Sequence, residues 1–173
     1  METKFKQVLK RLEGFPLEPN LITARALLLD ETPLVRNCGS LCGAACCEGD
    51  ETQGMLLFPG EEELYENCTF GHILTPGYRL GGQLARLFVC RGTCPREQRP
   101  LACRLFPLFL KVEGDSVRVI PDPRARGLCP LYASGITGLR TSFVEAVRAA
   151  SVPLMQSPAI RAFLTDLTRE MLL

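Results

Sequence analysis

At 173 residues the chain has the length of one domain, and with 46% hydrophobic and 23% charged residues it can bury a core and has no reason to be disordered. The formal net charge of +1 removes the general electrostatic case for a nucleic-acid or anionic-membrane partner. No apolar run approaches the ~20 residues that cross a bilayer, and the charged N-terminus lacks the apolar stretch of a signal peptide, so a cytoplasmic protein with reduced thiols is expected.

Residues 3–13 place Phe5, Val8, Leu9 and Leu12 at helical spacing and end at Gly14 and Pro16, which predicts an amphipathic helix. The apolar stretch 21–35, centred on Ala26–Leu29, fits helix or strand equally well. From 36 to 54 the composition shifts to Cys, Gly, Ala and acids, which suits a loop wrapped on a metal. Met55–Phe58 is compatible with a short strand. Glu61, Glu62 and Glu63 read as a helix start, acids against the positive N-terminus, rather than as general acids. Gly71, Pro76, Gly77, Gly81 and Gly82 mark 69–82 as a loop or hairpin connection. Leu80, Leu84, Leu87 and Phe88 then hint at a helix that the glycines weaken.

Residues 108–113 and 116–120, split by Gly114-Asp115, predict a β-hairpin. Beyond Cys129-Pro130, Leu139, Phe143, Val144 and Val147 form one apolar stripe, closed by Pro153. Ser157 and Pro158 supply an N-cap and a first-turn proline for a second helix with Ile160, Phe163, Leu164, Leu167 and Met171 along one face. The expected fold is mainly α with a small β-hairpin, of α+β class and organised around a metal. Its expected parts are an N-terminal helix and lead-in (1–35), a cysteine-cluster domain (36–131) and a helical hairpin (132–173) packing on that same domain.

The nine cysteines carry the chemistry. A secreted disulfide scaffold would be shorter, would carry a leader and would usually have an even count, so metal ligation is the better account. The spacing of Cys38, Cys42 and Cys46 lets one bend of chain present several thiolates to one ion, with Gly39 and Gly43 easing the bend. Cys46 and Cys47 are adjacent, so their side chains leave the backbone in different directions. Each serves a different metal, or one of them is core packing. Cys90 and Cys94 have knuckle-like spacing, and Cys103 and Cys129 stand far enough away to close a site from another side. Arg86, Arg91, Arg96, Arg99 and Arg104 surround this second group against one acid, Glu97. Guanidinium groups would neutralise an excess of thiolate, the plainer alternative being a solvated basic face.

Cys38, Cys42, Cys46 and Cys47 together resemble the C-x2-C-x2-C-C signature of the YkgJ-type cysteine cluster family, with three intervening residues here where two are usual. The run Arg99-Pro100-Leu101-Ala102-Cys103-Arg104-Leu105-Phe106-Pro107 is similar to that family's Arg-Pro-x-x-Cys-Arg-x-Phe-Pro element, and Cys129 to its final cysteine. The resemblance spans about residues 36 to 131 and implies a zinc- or iron-chelating domain. A related cluster in flagellin lysine methylases is associated with an iron–sulfur centre, but this chain has no evident methylase domain. The resemblance implies a ligand set of Cys38, Cys42, Cys46, Cys47, Cys90, Cys94, Cys103 and Cys129, with Cys68 outside it as a small buried hydrophobe.

Such a set suits two tetrahedral zinc sites, a binuclear site with bridging sulfurs, or one four-iron cluster with spare cysteines. His72, the single histidine, lies in a Gly-rich loop and reads as solvent-facing. With no Ser-His-Asp or Cys-His motif and no phosphate-binding loop, no catalytic residue is assigned. The leading expectation is a metal-binding protein holding zinc or iron, an iron–sulfur cluster included. The alternatives are an iron–sulfur enzyme or electron-transfer accessory in protein modification, and a structural-zinc module meeting an acidic protein partner through Arg86–Arg104.

Overall fold

The computed structural model describes residues 2–92 and 94–172, apart from the side chains of 2–4 and 172. The first helix, α1 (Glu2–Arg11), lays Phe5, Val8 and Leu9, with Leu12 just past its end, against Ile22, Ala26 and Leu29. Those last residues belong to or follow α2 (Pro19–Leu28), which opens on a first-turn proline. Helix α2 is buried on several sides at once: Leu21, Ala24 and Leu28 face the main core, Ala26 faces α1, and Arg25 is fully enclosed. A helix covered all round carries no apolar stripe, which is why its periodicity fitted helix and strand alike.

The middle of the chain is built from short strands. A three-stranded antiparallel sheet has β1 (Met55–Leu56) and β2 (Gly71–Leu74) on either side of the central strand β5 (Leu87–Cys90). A second pair, β3 (Arg79–Leu80) and β4 (Gln83–Leu84), turns at Gly81-Gly82. The helical hint over 80–89 is therefore overturned. Leu87, Phe88 and Val89 are all buried because β5 is covered on both faces, and a doubly covered strand gives a continuous apolar run that mimics a helix segment.

Close approach excludes a side chain at Gly71 and at Gly81, among other glycines. A Cβ on Gly71 would stand 2.3 Å from the Phe88 ring and 2.5 Å from the Val89 carbonyl oxygen, across the β2–β5 pair. Gly81 adopts φ +59° and presses on helix α5 (Pro158–Leu172), where a Cβ would meet the Phe163 nitrogen at 2.5 Å. Its amide also donates to Asp166 Oδ2 at 2.8 Å. Gly81→Ala is expected to lower the free energy of unfolding by about 2–4 kcal/mol, combining a left-handed residue with overpacking. A urea titration with an unchanged midpoint would rule this out.

After the short helix α3 (Leu101–Leu105), β6 (Leu108–Glu113) and β7 (Ser116–Pro121) form the expected hairpin, in register from Leu108 opposite Pro121 to Glu113 opposite Ser116. Strand β6 packs on α5, where Thr168 accepts the Val112 amide at 3.1 Å. Helix α4 (Thr141–Gln156) packs chiefly along α2 and buries Phe143, Val144, Val147, Ala150 and Leu154. It continues through Pro153 instead of closing there. The proline forfeits one backbone bond, but fully buried Leu154 holds the last turn in place. Ser157 caps α5 as expected, its Oγ accepting the Ile160 amide at 3.5 Å.

The architecture is α+β, with five α-helices and three small antiparallel sheets among the described residues rather than a lone hairpin. One core gathers Leu21 and Leu28 from α2, Leu87 from β5, Leu101 and Leu105 from α3, Leu108–Leu110 from β6, Phe143 and Val147 from α4, and Phe163 from α5. Among the described residues no helix is long and apolar enough to cross a membrane.

Candidate metal centre

The cysteine-rich loop is held by tight 3-10 turns. Asn37 caps the turn Cys38–Leu41, its side-chain oxygen accepting the Gly39 amide at 3.1 Å. Ala44 then takes up a left-handed conformation, φ 61°, and starts a second turn, Ala45–Cys47, that carries both adjacent cysteines. A non-glycine residue in that region costs about 1–2 kcal/mol, so the bend is imposed by its surroundings. From this turn the chain runs to Glu48, which forms an isolated antiparallel bridge with Arg91, the residue after Cys90. The first cysteine group thus lies beside the second in space.

The remaining cysteines arrive on separate elements. Cys90 ends β5 opposite Gly71, Cys94 begins the loop that follows, and Cys103 lies within α3. Cys129 precedes the 3-10 turn Pro130–Tyr132, its amide bonded to the Ala125 carbonyl at 2.9 Å. All nine thiols are free and partly buried.

Electrostatics ties the eight cysteines of the expected ligand set to one another. Burial pushes the Cys38 thiol up, Cys129 and Cys42 add to the rise, and Arg99 opposes it. Cys46 is pushed up by its hydrogen bond with Cys47, by burial, and by Cys47, Cys103 and Cys38. The same hydrogen bond pulls Cys47 below the ordinary thiol value, against burial and with help from Arg99. Burial raises Cys90, with Cys94 and Cys47 contributing, and burial likewise raises Cys103, with Cys47 and Cys94 contributing. Cys38 and Cys129, and Cys47 with Cys90 and Cys103, therefore stand near enough that a thiolate on one sulfur would disfavour a thiolate on the other. Even so, among the described residues no three or more Cys, His, Asp or Glu side chains form a group arranged to hold a metal ion. By donor chemistry alone, soft sulfur with a cation beside it would suit zinc or an iron–sulfur group.

Of the five arginines, Arg99 is the one that reaches the sulfurs. Against the cost of its burial, a hydrogen bond with Cys94 and the charges of Cys103 and Cys47 hold its guanidinium in the cationic form. The others have backbone, hydroxyl or, for Arg96, also carboxylate partners, Asp30 Oδ1 lying 3.9 Å from its Nε. Arg86 donates to Thr75 Oγ1, Arg91 to the Thr69 carbonyl at 3.1 Å, and Arg96 to the Leu29 carbonyl at 2.7 Å. Arg104 bonds the carbonyls of Arg96, Arg99 and Leu29. Neutralisation by the whole arginine group is thus reduced to one residue. Cys68 packs beside Leu57, Tyr65 and Phe88 with its Sγ 3.5 Å from the Gly71 carbonyl, and His72 is exposed on β2.

Sequence reasoning missed the charged centre of the molecule. Arg25 and Glu61 form an ion pair with both side chains at 0% exposure. Glu61 Oε2 accepts the Phe58 amide at 3.0 Å and Oε1 accepts the Leu101 amide at 2.9 Å. Burial pushes the Glu61 carboxyl up, against the pull of Arg25 and these two amides. Arg25 Nη2 reaches the Glu97 carbonyl at 2.9 Å, while its Nε is buried with no partner among the described residues. Glu61 is the N-cap of the short 3-10 turn Glu62–Leu64, its carbonyl accepting the Leu64 amide at 3.0 Å, while its side chain turns inward to Arg25 and not to the turn's N-terminus. A single arginine inside the apolar run 21–29 was the available signal.

No family model, curated protein or solved structure matches the chain.

Proposed function

We propose that the protein binds zinc or iron through thiolates drawn from Cys38, Cys42, Cys46, Cys47, Cys90, Cys94, Cys103 and Cys129, as a cytoplasmic metal-binding protein of the YkgJ type. What supports this reading is the Glu48–Arg91 bridge, which brings the 38–47 loop beside the chain that follows Cys90, with Arg99 on the Cys94 side. Zinc bound by four thiolates would be redox-silent and structural, whereas an iron–sulfur group would supply electron transfer or redox sensing. This chain's own contribution would be half-buried thiols with the Arg99 guanidinium beside Cys94 to offset surplus thiolate charge.

Elemental analysis and a visible spectrum of anaerobically purified protein test the proposal. Stoichiometric zinc in a colourless sample, or iron with absorption that bleaches reversibly on adding dithionite, is the expected result, and each names its metal. Protein free of both metals that takes up neither on reconstitution rejects the reading.

A further inference from the structure

Between Cys94 and Cys103 lie four consecutive backbone carbonyls, each held by a side chain. Arg104 donates to the carbonyls of Arg96 and Arg99, Arg25 to that of Glu97, and the Tyr65 hydroxyl to that of Gln98 at 2.7 Å. Two residues further on, Glu61 accepts the Leu101 amide. That amide opens α3, and the preceding Pro100 offers no side-chain cap, so Glu61 supplies from 40 residues away what the local sequence lacks.

The arrangement is costly. Arg25, Glu61, Tyr65 and Arg104 are all buried, and a buried ion pair is often no more stable than an apolar pair of the same size. What these polar groups achieve, and leucines could not, is to fix individual backbone atoms. Most of those atoms, the carbonyls of 96–99 and the Leu101 amide, lie within the one segment that presents Cys94, Arg99 and Cys103; the Phe58 amide and the Leu29 carbonyl are held from outside it.

We infer that Arg25, Glu61, Tyr65 and Arg104 are positioning residues that set the placement of Cys94, Arg99 and Cys103 relative to the loop of Cys38–Cys47. Their proposed consequence for metal affinity rests on the metal-binding reading above. The side chains grip the segment's backbone, and the sulfurs follow the backbone.

The test uses the full chain as purified without oxygen, compared with Tyr65→Phe and Glu61→Gln. Maleimide labelling read by mass spectrometry gives a rate for each cysteine, and zinc competition against a coloured chelator gives affinity. Tyr65→Phe, which deletes one oxygen and leaves the ring, is expected to speed labelling of Cys94 and Cys103 in the metal-free chain about tenfold, with Cys68, outside the ligand set and packed on the retained ring, within about twofold, and to weaken zinc about tenfold. Glu61→Gln should act in the same direction and more strongly. A general loss of stability would instead raise every rate together; that result, or unchanged rates at Cys94 and Cys103, overturns the inference. Should Glu61→Gln fail to fold, the tyrosine variant decides alone. If the parent chain binds no metal, the metal-binding reading fails, while the labelling rates still judge the positioning role.

Discussion

Glu61→Ala is expected to reduce the free energy of unfolding by about 3–5 kcal/mol, a large part of the 5–15 kcal/mol that holds a typical domain together. The loss has three sources. Arg25 keeps its charge at 0% exposure with no counter-ion, and the amides of Phe58 and Leu101 lose their acceptor. Removing both ends of the pair does not restore stability here. In Arg25→Met with Glu61→Leu, the Phe58 and Leu101 amides stay buried without their acceptor, and the part-buried Glu97 carbonyl loses its donor. Each orphan costs about 1–3 kcal/mol, so the double variant is expected to remain clearly less stable than the parent. Chemical denaturation of the two variants checks this, and a double variant as stable as the parent would show that the pair carries no backbone role.

The second large effect concerns the thiols. Cys46→Ser and Cys103→Ser, one from each cysteine group, are expected to lower metal content and solubility together. A neutral hydroxyl is a poor substitute for a soft thiolate, and the apparent binding free energy of structural zinc, about 10–16 kcal/mol at neutral pH, counts as folding free energy in such domains. Cys68→Ser serves as the control, since that sulfur lies against the Leu57, Tyr65 and Phe88 cluster and is expected to leave metal content unchanged. Metal analysis beside the soluble yield reads both effects. Full occupancy in both test variants would remove Cys46 and Cys103 from the ligand set.

The legible parts of the chain were those where a local rule acts without competition. Helix α1 shows its stripe because one face meets water, and Ser157-Pro158 opens α5 because capping is a matter of neighbouring residues. The β6–β7 hairpin was visible because Gly114-Asp115 separates two β-compatible runs. Helix α2 and strand β5 were ambiguous or misread for a shared reason: each is enclosed on several sides, and enclosure erases periodicity. Pro153 misled because buried Leu154 outweighs a single lost backbone bond.

The set of eight sulfurs came with the family resemblance of the sequence, while soft-donor chemistry and a cation among the sulfurs could be expected from residue types, since ligand softness and charge balance are properties of those types. Which cation it is came from the packing. Arg99 lies against the thiols while Arg96 and Arg104 turn to carbonyls at the end of α2, a division that depends on where α2 and α3 come to rest. The Arg25–Glu61 pair belongs to the same kind of information: two unremarkable charges 36 residues apart become the centre of the molecule only when folding removes water from both. Desolvation is a collective property of everything that surrounds a group, and a linear order of residues does not contain it.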